Sequence, residues 1–210
     1  MILKRRKFLS HLTGLALYSV AQAVHARVTP PQSLGPFYPL KIPLDSNADL
    51  TFVEGSDGVA TGEVTNLFGR VVDSNGVVIP DAQIEIWQCD AFGAYHHPHA
   101  GGGIDPFFQG YGATVSDAQG RYRFRTIKPV TYPGRAPHIH MKITAGAREL
   151  VTQIYVHGEP ANDQDFLLGA IKNSEARNSL IIRFEQNPSG ASDELDAVFN
   201  PVLPTSSACR

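Results

Sequence analysis

The sequence predicts an all-β protein, a single-domain β-sandwich of mostly antiparallel strands with little helix. Three observations carry this expectation. Short apolar segments of strand character recur at 66–73, 83–90, 112–116, 122–127, 138–144, 150–156 and 180–184. Between them stand the turn groups Asp73-Ser74-Asn75-Gly76, Asp117-Ala118-Gln119-Gly120 and Thr144-Ala145-Gly146, each offering a residue that tolerates positive φ. Composition agrees, because 19 Gly and 15 Pro in a chain of 42% hydrophobic residues describe a turn-rich globular protein. A chain of 210 residues suits one domain with a sizeable core.

The first 26 residues have a different character. Lys4-Arg5-Arg6-Lys7 is a basic cluster, 12–24 is mostly apolar, and Val24-His25-Ala26 offers small residues for cleavage. This layout predicts a signal peptide over 1–26, and the Arg5-Arg6 pair followed by Lys7-Phe8-Leu9 resembles the twin-arginine type, whose route exports folded proteins. Thr13, Gly14, Ser19 and Gln22 interrupt the apolar run, which is too short to span a bilayer comfortably. Removing it takes away four cations and no acid, so the formal balance moves from −2 to 14 − 20 = −6. A mildly acidic body argues against a nucleic-acid partner. No long apolar run follows residue 26, so the expected product is exported, periplasmic or secreted, with no membrane attachment once the signal is removed.

Residues 27–66, rich in Pro, Gly, Asp and Ser, read as an N-terminal arm lying over a core; 67–204 is the expected sandwich domain and 205–210 a polar tail. The best helical candidate, 164–173, lacks a wide apolar face and allows one or two turns. Gly101-Gly102-Gly103 marks a flexible loop tip. Of the two cysteines, Cys89 falls in a strand pattern and Cys209 in the tail. An oxidising compartment permits a bridge between them, and spacing does not decide it.

The densest chemistry lies in Thr131-Tyr132-Pro133-Gly134-Arg135-Ala136-Pro137-His138-Ile139-His140. In a strand, His138 and His140 share one face, about 7 Å apart at Cα, and their imidazoles can converge on one ion. Alone, a His-x-His pair is more often polar surface or satisfied core. Pro133 and Pro137 stiffen the approach, since each fixes φ and removes a backbone donor. Arg135 is either a solvated loop cation or a permanent charge aimed at an anionic substrate. A loop tyrosine such as Tyr132 is more often packing than ligand, yet phenolate with imidazole suits ferric iron better than zinc or copper(I).

Beyond this stretch, Gly69 to Val72, Pro80 to Gln88, Asp90 to Tyr95, Gly120 to Pro129 and Thr152 to Tyr155 stand in an order and approximate spacing that resemble the intradiol ring-cleavage dioxygenases. Leu34-Gly35-Pro36-Phe37-Tyr38-Pro39 is similar to a motif near the start of protocatechuate-type chains. The resemblance covers most of 30–160. It implies a mononuclear non-haem Fe(III) held by Tyr95, Tyr132, His138 and His140, with solvent in a fifth position. Tyr132 matches the tyrosinate that leaves when a catechol binds through both oxygens, and Tyr95 the one that stays. Arg135 matches an arginine near the ring carbon that gains negative charge, and Gln153 a glutamine behind the ligands. The implied reaction uses O2 to cleave a catechol-type diol between its hydroxyl-bearing carbons, giving a muconate-type diacid, with the metal as Lewis acid and template. The chain has no GxGxxG opening a helix, no P-loop and no CxxC, in keeping with a reaction that needs no reductant site.

Two features bear on substrate and assembly. Only Pro133-Gly134 separates Tyr132 from Arg135, where protocatechuate 3,4-dioxygenase chains carry a longer segment with an aromatic side chain, so a more open pocket wall is expected. No helical dimerisation segment is visible in 27–66, which suggests a protocatechuate-type chain without a distinct partner subunit, with a homo-oligomer left open. His96, His97 and His99 read as a mobile His-rich loop at the site rim, with a second metal site or a substitute ligand as the alternative. His157 reads as a loop residue, Trp87 as core, and Tyr122 and Tyr155 as sheet packing. Competing functions are an inactive β-sandwich binding module and a zinc hydrolase using His138, His140 and a rim histidine, for which Asp90 and Asp105 are the nearest general-base candidates.

Overall fold

The computed structural model describes residues 26–100, 102–187 and 193–205. The expected signal segment up to residue 25, Gly101 and the tail from 206, with Cys209, lie outside the described residues. Eleven strands and three short helical turns make up the described regular structure. In order they are β1 (Val64–Arg70), β2 (Val72–Asp73), β3 (Gln83–Trp87), β4 (Tyr111–Val115), β5 (Arg121–Ile127), β6 (His138–Ala145), β7 (Arg148–Val156), a 3-10 turn (Pro160–Asp163), α1 (Phe166–Gly169), α2 (Ser174–Asn178), β8 (Ile181–Ile182), β9 (Phe184–Gln186), β10 (Leu195–Val198) and β11 (Val202–Leu203). No described helix is long and apolar enough to cross a membrane.

The strands form a four-stranded sheet in the order β5-β1-β10-β9, a five-stranded sheet β4-β3-β6-β7-β8, and a small pair β11-β2. Pairing is antiparallel except for β1 with β10, β2 with β11 and β7 with β8. This is the all-β, mostly antiparallel sandwich expected. One core draws on both large sheets, with Leu67 and Phe124 from the first and Ile84, Ile86, Ile139, Met141 and Ile143 from the second. Each of these is fully buried, and burying such a side chain contributes about 1.5–3 kcal/mol.

Four details depart from the sequence reading. The run 66–73 breaks at Val71, whose N–H turns to Gly120 O, as the chain leaves the four-stranded sheet for the small pair. The run 180–184 divides into β8 and β9, which belong to different sheets. The strands β10 and β11 were not expected, being short and interrupted by Asp, Asn and Pro; β10 is paired by β1, well over a hundred residues away, and such context overrides local propensity. Helix occupies one turn within 164–173, capped by Asp165, and another beyond it, because Asn173 caps a fresh start at Ser174.

The register of the five-stranded sheet decides what its outer face carries. Trp87 pairs with Tyr111 on β4 and with His140 on β6, and His140 pairs with Gln153 on β7. Tyr111, Trp87, His140 and Gln153 therefore form one row across four strands, with His138 opposite Tyr155 in a neighbouring row. A slip of one residue would turn the whole set inward. The β6–β7 hairpin holds this register through the two-residue turn Gly146-Ala147, with Gly146 at φ +61° in the position that a type II′ turn gives to glycine.

Residues before β1 cross the edges of this frame as turns and bends. Gln32 N–H bonds Val151 O at 2.8 Å, Ala113 N–H bonds Ser46 O at 2.8 Å, and Leu50 N–H bonds Arg125 O at 2.7 Å. They cover the row on the outer face, and His138 and His140 are both buried as a result.

Candidate metal centre

Strand alternation sends His138 and His140 to the same side of β6, and their Nε2 atoms stand 3.2 Å apart. His138 Nδ1 donates to Ala136 O at 2.7 Å, so in the neutral ring the Nε2 lone pair faces His140. His140 is held by packing instead. Its ring stacks on Trp87 at 4.8 Å and 10°, and Gly35 lies so close on the arm that a Cβ there would meet Cε1 at 3.2 Å. Its Nδ1 is buried without a hydrogen-bond partner among the described residues.

Two phenols complete the cluster. The Tyr95 hydroxyl is 3.5 Å from His138 Nε2, and its ring meets Tyr132 edge-on at 5.4 Å. Asp90 places Tyr95: its carboxylate accepts the N–H groups of Phe92, Ala94 and Asp105, pinning the chain on both sides of Tyr95. Tyr132 is placed by a tight turn in which Arg135 N–H bonds Tyr132 O at 3.0 Å, with Gly134 at φ +80°. Proline then glycine at the two central positions is the signature of a type II turn. The turn brings Arg135 NH1 to 3.3 Å from the Tyr132 hydroxyl, and nothing stands within 4 Å of where a Gly134 side chain would be.

Arg135 is buried and fully engaged. Its Nε donates to Asp165 Oδ2 at 2.8 Å and its NH2 to Gln153 Oε1 at 2.6 Å, with the Tyr155 hydroxyl at 3.4 Å. Tyr155 donates to Gln153 Oε1 and accepts from Gln32 of the arm, both at 3.0 Å. Asp165 also accepts Ala136 N–H at 2.9 Å and caps α1. A cavity of about 240 Å³, lined by Thr131, Gly134, Arg135, Ala161 and Asp165 among others, adjoins this ion pair.

Burial governs the proton affinities. It pushes His138 down to about 4 and, with His138 and Arg135 adding to the effect, holds His140 well below the usual imidazole range. Both rings are therefore neutral at pH 7 and offer lone pairs to a cation. Burial raises the Tyr95 phenol well above its ordinary value and raises Tyr132 too, although Arg135 opposes the latter. A phenolate here needs a strong positive charge at the point where the rings converge.

The donor set fits ferric iron, because two imidazole nitrogens and two phenol oxygens meet. All six residues named from the sequence, Tyr95, Tyr132, Arg135, His138, His140 and Gln153, come together in this one cluster. Several other readings change. His97 is not a rim residue but is buried, with its ring 5.8 Å from Phe37; His96 turns away to Phe108, and only His99 is exposed. Trp87 supports the His140 ring as well as being buried, and Tyr155 belongs to the Arg135 network. Asp90 and Asp105 are committed to backbone N–H groups, Asp105 holding Thr61 and Phe107, which leaves neither as a general base. Cys89 is buried, its thiol pushed up to about 11 by burial, and it has no disulfide among the described residues.

Sequence reasoning missed Asp165, since an Asp before a short apolar run reads only as a helix cap. It also missed the use of Phe37, which stacks on Tyr95 at 4.6 Å and closes the arm over the site. A surface depression of about 770 Å³ beside Phe68, Arg70, Arg121 and Val198 lies on the other sheet, away from this chemistry.

Comparison with known proteins agrees with the geometry. The family model described as Dioxygenase matches residues 34–205. The chain is 37% identical to the protocatechuate 3,4-dioxygenase beta chain of Burkholderia cepacia, over 77% of this chain and 72% of that one. It is 31% identical to hydroxyquinol 1,2-dioxygenase of Nocardioides simplex, over 90% of this chain and 67% of that one. Among solved structures it resembles the dioxygenase domain of a dioxygenase–carbohydrate-binding fusion from Streptomyces sp. SirexAA-E, with TM-score 0.63 and 28% identity over 85% of this chain and 99% of that one. It also resembles catechol 1,2-dioxygenase from Acinetobacter sp. ADP1, with TM-score 0.62 and 27% identity over 84% of this chain and 62% of that one. With the motifs, the sheet register and these matches in agreement, the chain belongs to the intradiol ring-cleavage dioxygenase family.

Proposed function

We propose that this protein is an exported ferric dioxygenase that uses O2 to open a catechol-type aromatic diol between its hydroxyl-bearing carbons, giving a muconate-type diacid. The observation that carries this reading is the convergence of Tyr95, Tyr132, His138 and His140, with the Arg135 guanidinium in hydrogen-bond reach of Tyr132. Those four side chains would hold Fe(III), which supplies Lewis-acid activation of the bound diol.

The chain's own residues divide the remaining work. Tyr95 is buried under Phe37, whereas Tyr132 is half-buried and has Arg135 as a second partner for its oxygen. Of the two phenols that would hold the metal, Tyr132 is therefore the one placed to give way to an incoming diol and to take up its proton at the phenol oxygen, and Tyr95 the one that would remain. Arg135 places a fixed positive charge next to the exchange, where negative charge developing on the ring is stabilised. Gln153 holds Arg135 through its Oε1, and its Nε2 reaches Ser33 O of the arm at 3.4 Å. Phe37 and Trp87 exclude water from the ligand rings.

No side chain stands over Gly134, which supports an open wall at that edge and ring-substituted diols as substrates. Export rests on the basic and apolar segment of residues 1–26, and sequencing the amino terminus of the protein recovered from the periplasm or medium tests it. The catalytic reading is tested by oxygen uptake with a panel of catechols and identification of the products. A coloured, iron-loaded protein giving a cis,cis-muconate product is expected; an iron-loaded protein that leaves every diol intact would overturn the assignment.

A further inference from the structure

The Asp165 side chain is completely buried, and its two oxygens take mostly different partners, the exception being a 3.5 Å contact of Arg135 NH2 with Oδ1. Oδ1 accepts the N–H groups of Leu167 and Leu168 at 3.1 and 2.9 Å and caps α1. Oδ2 accepts Arg135 Nε at 2.8 Å and Ala136 N–H at 2.9 Å. These two contacts reach the metal cluster by separate routes. Through Nε, the carboxylate fixes the plane of a guanidinium whose other nitrogens meet the Tyr132 hydroxyl and Gln153. Through the Ala136 N–H, it holds the Arg135–Ala136 peptide, the unit just before the Ala136 carbonyl that accepts a hydrogen bond from His138 Nδ1.

We infer that Asp165 is a positioning residue for this site, one carboxylate that sets both the orientation of the Arg135 guanidinium and the tautomer of the His138 imidazole. It touches neither substrate nor any of the four proposed ligand side chains. A helix cap alone would use only Oδ1; the second oxygen, spent wholly on the Arg135-Ala136 segment, has no part in capping. A charged partner is also required there, because a buried guanidinium without a carboxylate is left uncompensated. A misplacement of the guanidinium by a fraction of an ångström weakens its hold on developing charge far more than it alters the fold.

The inference rests on the catalytic reading for its kinetic arm and is independent of it in its spectroscopic arm. Asp165→Asn serves both, since asparagine is an equally good cap and keeps an oxygen toward Leu167 and Leu168 while presenting NH2 to Arg135 and Ala136. In the iron-loaded enzyme, Asp165→Asn is expected to lower kcat/KM for catechol by about tenfold or more, while in an Arg135→Gln background the same change should have almost no further effect. Equal losses in both backgrounds, or none in either, would overturn the Arg135 route. In the metal-free protein, 15N NMR of the His138 ring should show a single Nδ1–H tautomer in the parent and a mixture in Asp165→Asn; identical spectra would remove the Ala136 route. A parent enzyme that cleaves no catechol sinks the functional reading, and the imidazole spectrum still decides the role of Asp165. If Asp165→Asn does not fold, Asp165→Glu keeps the charge and displaces it by one methylene: impaired turnover with full iron content supports the inference, and parental turnover refutes it.

Discussion

Gly35→Ala is the sharpest test of how the arm builds the site. Gly35 sits at φ +77°, where an L side chain is strained, and a Cβ there would meet His140 Cε1 at 3.2 Å. The backbone term alone costs about 1–2 kcal/mol. The contact adds to it, because the imidazole has no room to retreat: Trp87 stacks against its ring at 4.8 Å. Overpacking of this kind costs roughly 1–3 kcal/mol. Gly146→Ala is the matched control, since Gly146 has φ +61° and nothing within 4 Å of its Cβ position. In the metal-free protein, thermal unfolding should show Gly146→Ala losing about 2–8 °C, from 2–4 °C per kcal/mol in a chain of this size, and Gly35→Ala losing more. Only Gly35→Ala should also weaken iron binding, because Cε1 adjoins the nitrogen that faces His138. Equal melting temperatures for the two variants, together with parental iron affinity in Gly35→Ala, would refute the steric argument.

Three further outcomes follow from the same geometry. Tyr95→Phe should bind iron at least about tenfold more weakly and lower the visible absorbance per iron, with a larger loss of iron than in Tyr132→Phe; metal analysis and optical spectra check this, and equal losses would contradict the division between staying and leaving phenolates. Tyr122→Phe should destabilise the fold by roughly 1–3 kcal/mol, measured by chemical denaturation, because the Tyr122 hydroxyl donates to the otherwise buried Phe199 carbonyl at 2.7 Å. The Arg125 guanidinium, bonded at 2.7 Å, holds the Glu194 carboxyl below its usual range. Its contribution is fully present above the unfolded glutamate value and is lost as pH falls through the folded one. Glu194→Gln should therefore cost up to about 1 kcal/mol near pH 7 and progressively less as pH falls below the unfolded glutamate value, and a penalty that does not shrink in acid would exclude the ion pair as its source.

Much of the site was legible before any coordinates, for reasons that are local. Strand alternation alone places His138 and His140 on one face, and Pro133-Gly134 alone defines the turn that joins Tyr132 to Arg135. Tyr95 and Gln153 are different: no local pattern ties either residue to the ion that His138 and His140 could share, and only the resemblance of the surrounding motifs did so. Two readings made from residue type were too plain. Trp87 looked like core and is in fact the surface on which His140 stacks, because the register of β3 against β6 sets them side by side. The triplet of histidines after Tyr95 looked like a rim, yet the turn pinned by Asp90 directs His96 and His97 inward.

By itself the sequence determined the fold class, the strand faces and the chemical character of the ligand segment, since these follow from periods of two residues and from fixed dihedral preferences. Tertiary structure alone decided that Gln153 lies opposite His140, that the arm presses Gly35 and Phe37 onto the ligand rings, and that Asp165 grips Arg135 thirty residues away. Such contacts depend on which strands pair and on where a distant loop returns. Pairing is set by the burial of the whole apolar face, a sum over both sheets that no single stretch of sequence contains.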